Sequence, residues 1–248
     1  MVVYMKKRNR TMLDMDINEQ HVLLKLEEKF KENLTASITL EKEAYTKAEI
    51  DARAFAVLGQ IIAEDNKLSA CQKEIVPIFD EVFADVVLSL YFAGCGLERP
   101  AQSVLRRSFE LGIAIIYLWD LPHDFYGWKT HDSDLNFNEM IEHLTKDSYR
   151  TYLASLNPSY IGVELFDEKD ARKLYRNLSN TVHGKITTHT AYLPNRFSHN
   201  PSAWYNHIEL VERVMIILMN LSSKRFFAYF PELKKRIPAF SVVEMKGV

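Results

Sequence analysis

Cysteine is scarce in this chain: Cys71 and Cys95 are the only two among 248 residues. They share no CxxC spacing and have no histidine at ligand spacing. A disulfide-stapled or zinc-ribbon framework is excluded, and reduced, buried thiols of a cytoplasmic protein are expected. Net charge is small as well, with 31 Lys and Arg against 33 Asp and Glu, or -2 overall. A protein that coats long nucleic acid is usually basic, so that role is disfavoured, although a local basic patch is compatible with the balance. Long apolar runs are missing. The longest, residues 86–97 and 111–119, fall short of the roughly 20 residues a membrane-spanning helix needs. Lys6, Lys7, Arg8 and Arg10 are not followed by the apolar stretch of a secretory signal. No membrane association is expected.

Familiar chemical motifs are missing too. The GCG at 94–96 lacks the rest of GxGxxG, and there is no GxxxxGK[ST], HExxH or GxSxG. No cofactor and no metal are therefore expected. His131, Asp132 and Asp134 read as a solvated acidic loop. His123, His189, His199 and His207 are scattered and read as surface or loop histidines. No repeat period or low-complexity tract is present, and strand-like alternation is confined to a short piece at 185–192.

What remains is helical patterning in a chain that is 47% apolar, enough for a sizeable core. From Asp16 onward an amphipathic segment places Val22, Leu23, Leu26 and Phe30 on one face. Residues 35–45 read as a linker or weak helix. Thr46 and Glu49 form a T-x-x-E capping box opening a helix to about residue 65, and Ser69 with Gln72 repeats the device. Pro77 implies a kink or restart. Pro100 suits the first position of a helix to Trp119 that is apolar nearly all round in its second half, hence central. Residues 120–134 read as a loop with aromatic anchors. Asn136 with Glu139, then Asp167, then Asn200 with Pro201 mark further helix starts. The last helix, with Ile208, Val211, Met215, Ile216 and Met219 facing the core, is expected to run to Pro231. The fold expected is all-α, with an N-terminal helical segment (1–68), a helical domain (69–230) and a loose tail (231–248).

The chemistry concentrates in residues 174–185, LYRNLSNTVHGK. Arg176 and His183 are seven residues apart, about 700° of helical rotation, so they point the same way. Asn180 lies between them. Leu174, Leu178 and Val182 take the opposite side, and Gly184 stops the helix. The helix dipole favours the imidazolium of His183 and Arg176 opposes it. An imidazole titrating near neutrality moves protons, and a fixed guanidinium holds a phosphate and its developing charge. Together they suit cleavage of a phosphodiester by an attacking 2′-hydroxyl without metal. A helix carrying Arg, Asn and His on one face has a poor burial partner in its own core, so a symmetric homodimer or higher even oligomer is expected to bring two such faces together. Arg106 and Glu110, four apart on the central helix, read either as an intrahelical ion pair or as a charge facing the Arg176/His183 stripe.

RNLSNTVH, residues 176–183, resembles the R-x(4–6)-H motif of the HEPN superfamily, including the Asn directly after the Arg. With LRRSFELGIAIIYLW at 105–119, where an R-x-x-x-E helix precedes the motif helix, the chain resembles abortive-infection-type and related HEPN-like families of unknown function. The resemblance covers roughly residues 79–221. It implies a HEPN-like helical bundle with additional N-terminal helices, acting as a metal-independent endoribonuclease in a toxin or phage-defence role. His183 would be the general acid/base and Arg176 the phosphate-stabilising residue. Asn177 would order the site or contact RNA, with Asn180, Arg106 and Glu110 in support. Composite sites across a dimer, and an antitoxin or sensor partner, are implied as well. One subfamily carries a tyrosine two residues after the histidine that a partner nucleotidyltransferase modifies; here Lys185 stands there, and that regulation is not implied. The alternative is a non-catalytic HEPN-like module that binds RNA, a nucleotide or a partner protein.

Overall fold

The computed structural model describes residues 22–182 and 197–240. Every regular element among them is a helix, so the fold is all-α. None of these helices is long and apolar enough to cross a membrane.

Helix α1 (Val22–Leu40) runs almost directly into α2 (Lys42–Ala63), with only Glu41 between them. The stretch at 35–45, read as a linker or weak helix, is therefore helical apart from Glu41. The reason is nonlocal. Asn33 and Ser37 are buried although polar. The Asn33 Nδ2 donates to the carbonyls of Cys95 (2.9 Å) and Phe197 (2.8 Å), and the Ser37 hydroxyl donates to that of Gly94 (3.0 Å). Carbonyls left open where the helix ending at Gly94 stops need such donors. The inner face of α1 is thus set by Asn33 and Ser37, and Leu23, expected inside, is 71% exposed. Thr46 does not cap: α2 already began at Lys42, and the Thr46 hydroxyl donates back to the Lys42 carbonyl at 2.7 Å.

The second capping box is real. Ser69 N–H donates to Gln72 Oε1 (3.1 Å) and Gln72 N–H to Ser69 Oγ (3.2 Å), opening α3 (Ala70–Ile75). Pro77 then separates α3 from α4 (Ile78–Gly94). Helix α5 (Glu98–Trp119) carries Pro100 in its first turn, where no amide donor is needed. It buries residues from Ala101 to Trp119 and is the central helix, as its patterning predicts. The expected loop at 120–134 contains α6 (Pro122–Lys129), started by Pro122 and anchored by buried Phe125. Then follow α7 (Phe137–Thr145), α8 (Asp147–Leu156), α9 (Glu168–Val182) and α10 (Pro201–Arg225). Side-chain caps open three of these: Asn136 accepts from Asn138 N–H, Asp167 from Asp170 N–H and Asn200 from Ala203 N–H. Helix α10 stops at Arg225 rather than Pro231, which lies in the first turn of α11 (Phe230–Arg236). Leu233 and Phe240 are buried.

Helix α5 packs against α3, α4, α6, α7, α9 and α10. Phe55 of α2, Phe79 of α4 and Phe226 meet ring to ring at 4.8 and 5.9 Å. Two helices approach closely at Gly59, where a Cβ would lie 2.5 Å from the Phe79 Cβ. That atom sits next to backbone and has little room to yield. Gly59→Ala should therefore lower stability by about 1–3 kcal/mol from overpacking, even though alanine is favoured over glycine in a helix by about 1 kcal/mol. Urea unfolding checks this, and a variant at least as stable as wild type would show that α2 and α4 can move apart cheaply.

Candidate functional site

Helix α9 is held on α5 by Ala171, Leu174 and Leu178, all fully buried. Arg176 and Asn177 are exposed and Asn180 is partly exposed. Arg176 projects from the face opposite Leu174 and Leu178, as their spacing predicts. It has no ion pair or hydrogen bond among the described residues. His183, Gly184 and Lys185 lie outside the described residues, as does the short alternating piece at 185–192.

Arg106 and Glu110 converge on α9, but on a residue of different position from the stripe. The Arg106 Nη2 donates to Glu110 Oε1 at 2.9 Å, which is the intrahelical pair. The same nitrogen donates to the Tyr175 hydroxyl at 2.7 Å, and that hydroxyl donates to Glu110 Oε1 at 2.6 Å. The guanidinium carbon lies 5.0 Å from the centre of the Tyr175 ring, which also stacks on Phe137 at 3.9 Å. Burial, with Glu110 beside it, raises the Tyr175 pKa above the usual phenol value. The two charges near the core thus neutralise one another, and the neutral Tyr175 hydroxyl is hydrogen-bonded to both. They lock α5, α7 and α9 together and fix the rotation of the motif helix. Tyr175 is the residue that pattern reading passed over. Its only sequence signal was its place directly before Arg176.

Beside the stripe, the first turns of α5, the end of α9 and the first half of α10 enclose a cleft of about 650 Å³. Glu98 and Gln102 come from α5, Asn177 and Thr181 from α9, and Asn206 and Glu209 from α10. The Thr181 hydroxyl donates to Gln102 Oε1 and ties the last turn of α9 to α5. Ile216, expected in the core, lines this cleft instead. Burial raises the Glu98 pKa, an effect that neighbouring Arg99 opposes. Of the sequence candidates among the described residues, Asn177 alone lines the cleft, while Arg176 stands outside it.

No protein-family model, no curated protein and no solved structure matches this chain.

His207 is not a surface histidine. It is buried on α10, with Nε2 3.3 Å from the Ser89 hydroxyl and Nδ1 without a hydrogen-bond partner among the described residues. Ser89 donates its own proton to the Val86 carbonyl at 2.8 Å, so Nε2 carries the hydrogen that faces Ser89, and burial, which lowers the His207 pKa to about 4, keeps the ring neutral at pH 7. Among the described residues no three His, Cys, Asp or Glu side chains are grouped to hold a metal ion.

Proposed function

We propose that the chain is a HEPN-type, metal-independent endoribonuclease that serves as a toxin or phage-defence effector. The observation that carries this reading is Arg176: a guanidinium on the outer face of α9, exposed and unpartnered among the described residues, seven positions before His183 in the sequence. A structural arginine would be expected to find a carboxylate, as Arg106, Arg107, Arg172, Arg213, Arg225 and Arg236 all do. An unpaired one is available to a phosphate.

In this mechanism the substrate's 2′-hydroxyl attacks the adjacent phosphorus and the 5′-oxygen leaves. His183 moves the protons, and Arg176 stabilises the charge that builds on the non-bridging oxygens. Asn177 and Asn180 orient the strand. Arg106 and Glu110 act at one remove, by holding Tyr175 and hence α9. Products end in a 2′,3′-cyclic phosphate and a 5′-hydroxyl. An open face of this kind gains protection from water when a second copy covers it, so the active form is a homodimer or higher even oligomer, held in check by an antitoxin or sensor partner.

A second reading draws on the same exposure. Arg176 stands outside the cleft, which suits a non-catalytic module that binds RNA, a nucleotide or a partner protein. Incubating the purified protein with total RNA, with and without EDTA, separates the two. The nuclease is expected to cut equally in both and to leave cyclic phosphate ends. Cleavage abolished by EDTA with 3′-hydroxyl ends would replace this mechanism by a metal-dependent one. No cleavage, even with products of neighbouring genes present, favours the binding module. The assembly is checked separately: light scattering is expected to give an even oligomer at tens of micromolar, roughly the range a stable interface tolerates, and a monomer there would count against a composite site.

A further inference from the structure

The cleft beside the stripe has a chemistry of its own. It is unsuited to phosphate. Glu98, Glu209 and Glu212 line it, against Arg99 and Arg213, and Arg213 is already held by Asp170. Glu212 is engaged elsewhere, with Lys47 at 3.3 Å, and Glu209 lies near Tyr205, whose pKa its charge raises. Glu98 is different. It is half-buried at the start of α5 and has no hydrogen-bond donor or ion pair among the described residues. The carboxamides of Asn177 and Asn206 are likewise without hydrogen bonds there, while Gln102 uses its oxygen on Thr181 and keeps its NH₂ for a ligand. Among the described residues the cleft therefore offers a carboxylate with no donor on either oxygen, beside the Arg99 guanidinium and flanked by amides that donate and accept. A neutral, flat group with adjacent N–H donors fits this set, and among the RNA bases guanine alone has two such donors side by side, N1–H and N2–H.

We propose that the cleft between α5, α9 and α10 is a guanine subsite, in which the Glu98 carboxylate accepts from N1–H and N2–H while Asn177 and Asn206 contact the rest of the base edge. The proposal deepens the ribonuclease reading and rests on it for the source of the base: Asn177 follows Arg176 directly, so a nucleotide whose phosphate meets Arg176 has its base next to the cleft mouth. The same chemistry would accept the base of a free guanine nucleotide.

The test uses the full chain and two arms. In the first, GMP, AMP, CMP and UMP are titrated by calorimetry. GMP should bind at least about ten-fold more tightly than the others, the size expected for one bidentate base contact. Glu98→Gln, which keeps the shape but swaps one acceptor for a donor, should remove that preference. Asn206→Trp, at an exposed position on α10, should block the cleft and abolish GMP binding even if Glu98→Gln folds poorly. In the second arm, cleavage of RNA by wild type should favour sites next to G, and Glu98→Gln should cut with that preference lost. Equal binding of all four nucleotides, or an unchanged preference in Glu98→Gln, overturns the subsite while leaving the nuclease standing. Selective, Glu98-dependent GMP binding without cleavage of any RNA upholds the subsite, overturns the nuclease, and makes the free nucleotide the ligand.

Discussion

His183→Ala is expected to slow RNA cleavage by about 10²–10⁴-fold, the usual loss when a general acid/base is removed. Stability should change little, within roughly 1 kcal/mol, because the helix that leads to His183 is held by other residues. Ala171, Leu174 and Leu178 are buried, Tyr175 is stacked on Phe137 and bonded to Glu110, and Thr181 is bonded to Gln102. None of these contacts passes through the outer face. The same reasoning applies to Arg176→Lys. It keeps the charge and disturbs no packing, since Arg176 is exposed, but it loses the planar fork that matches two phosphate oxygens. Most of the activity should go with it. Single-turnover cleavage of a short RNA, read beside thermal melts, checks both variants. If His183→Ala cuts at the wild-type rate, the histidine leaves the mechanism. If Arg176→Lys is fully active, a point charge suffices and bidentate recognition is wrong.

How far these features were legible in the sequence depends on how local their causes are. The central place of α5 followed from an all-round apolar pattern, and the starts of α3, α7, α9 and α10 from caps whose partner lies within three residues. The split between the buried and open faces of α9 followed from the spacing of Leu174 and Leu178 against Arg176. Features set by distant partners were not legible. Thr46 matched a capping box, but the same letters occur inside a helix once an earlier residue has started it. Asn33 read as one more polar residue of an amphipathic helix and Ser37 as part of a linker or weak helix, because nothing local tells that the carbonyls of Gly94 and Cys95 await them. The Arg106–Glu110 pair was legible, but its third member, Tyr175, was not: a tyrosine in an amphipathic helix has many ordinary reasons to be there. The cleft was invisible for the same reason, since its lining comes from three helices far apart in the chain.

Stability should fall as the pH drops from about 6.5 to about 4, and His207 should account for about 3 kcal/mol of the loss. Burial lowers its pKa from 6.5 to about 4, and no charged neighbour contributes to that change. With the folded-state pKa below the unfolded one, the contribution is fully present above pH 6.5, where both states are neutral. Below that pH the unfolded chain takes up a proton that the folded chain refuses, and stability drains away at about 1.4 kcal/mol per pH unit. The loss levels off near pH 4, where the buried ring is protonated as well. The geometry agrees: among the described residues Nδ1 has no acceptor for the extra N–H, and the Ser89 hydroxyl opposite Nε2 is neutral. His207→Gln keeps a donor for Ser89 and removes the titration. Urea unfolding of both proteins from pH 8 to pH 4 isolates the effect, because the other titrating groups are shared and cancel in the difference. The stability of wild type relative to the variant should be constant above pH 6.5 and then decline by about 3 kcal/mol. Parallel curves over the whole range would mean that His207 is already reached by water or by a proton acceptor in the folded state, and that its burial on α10 does not hold it neutral.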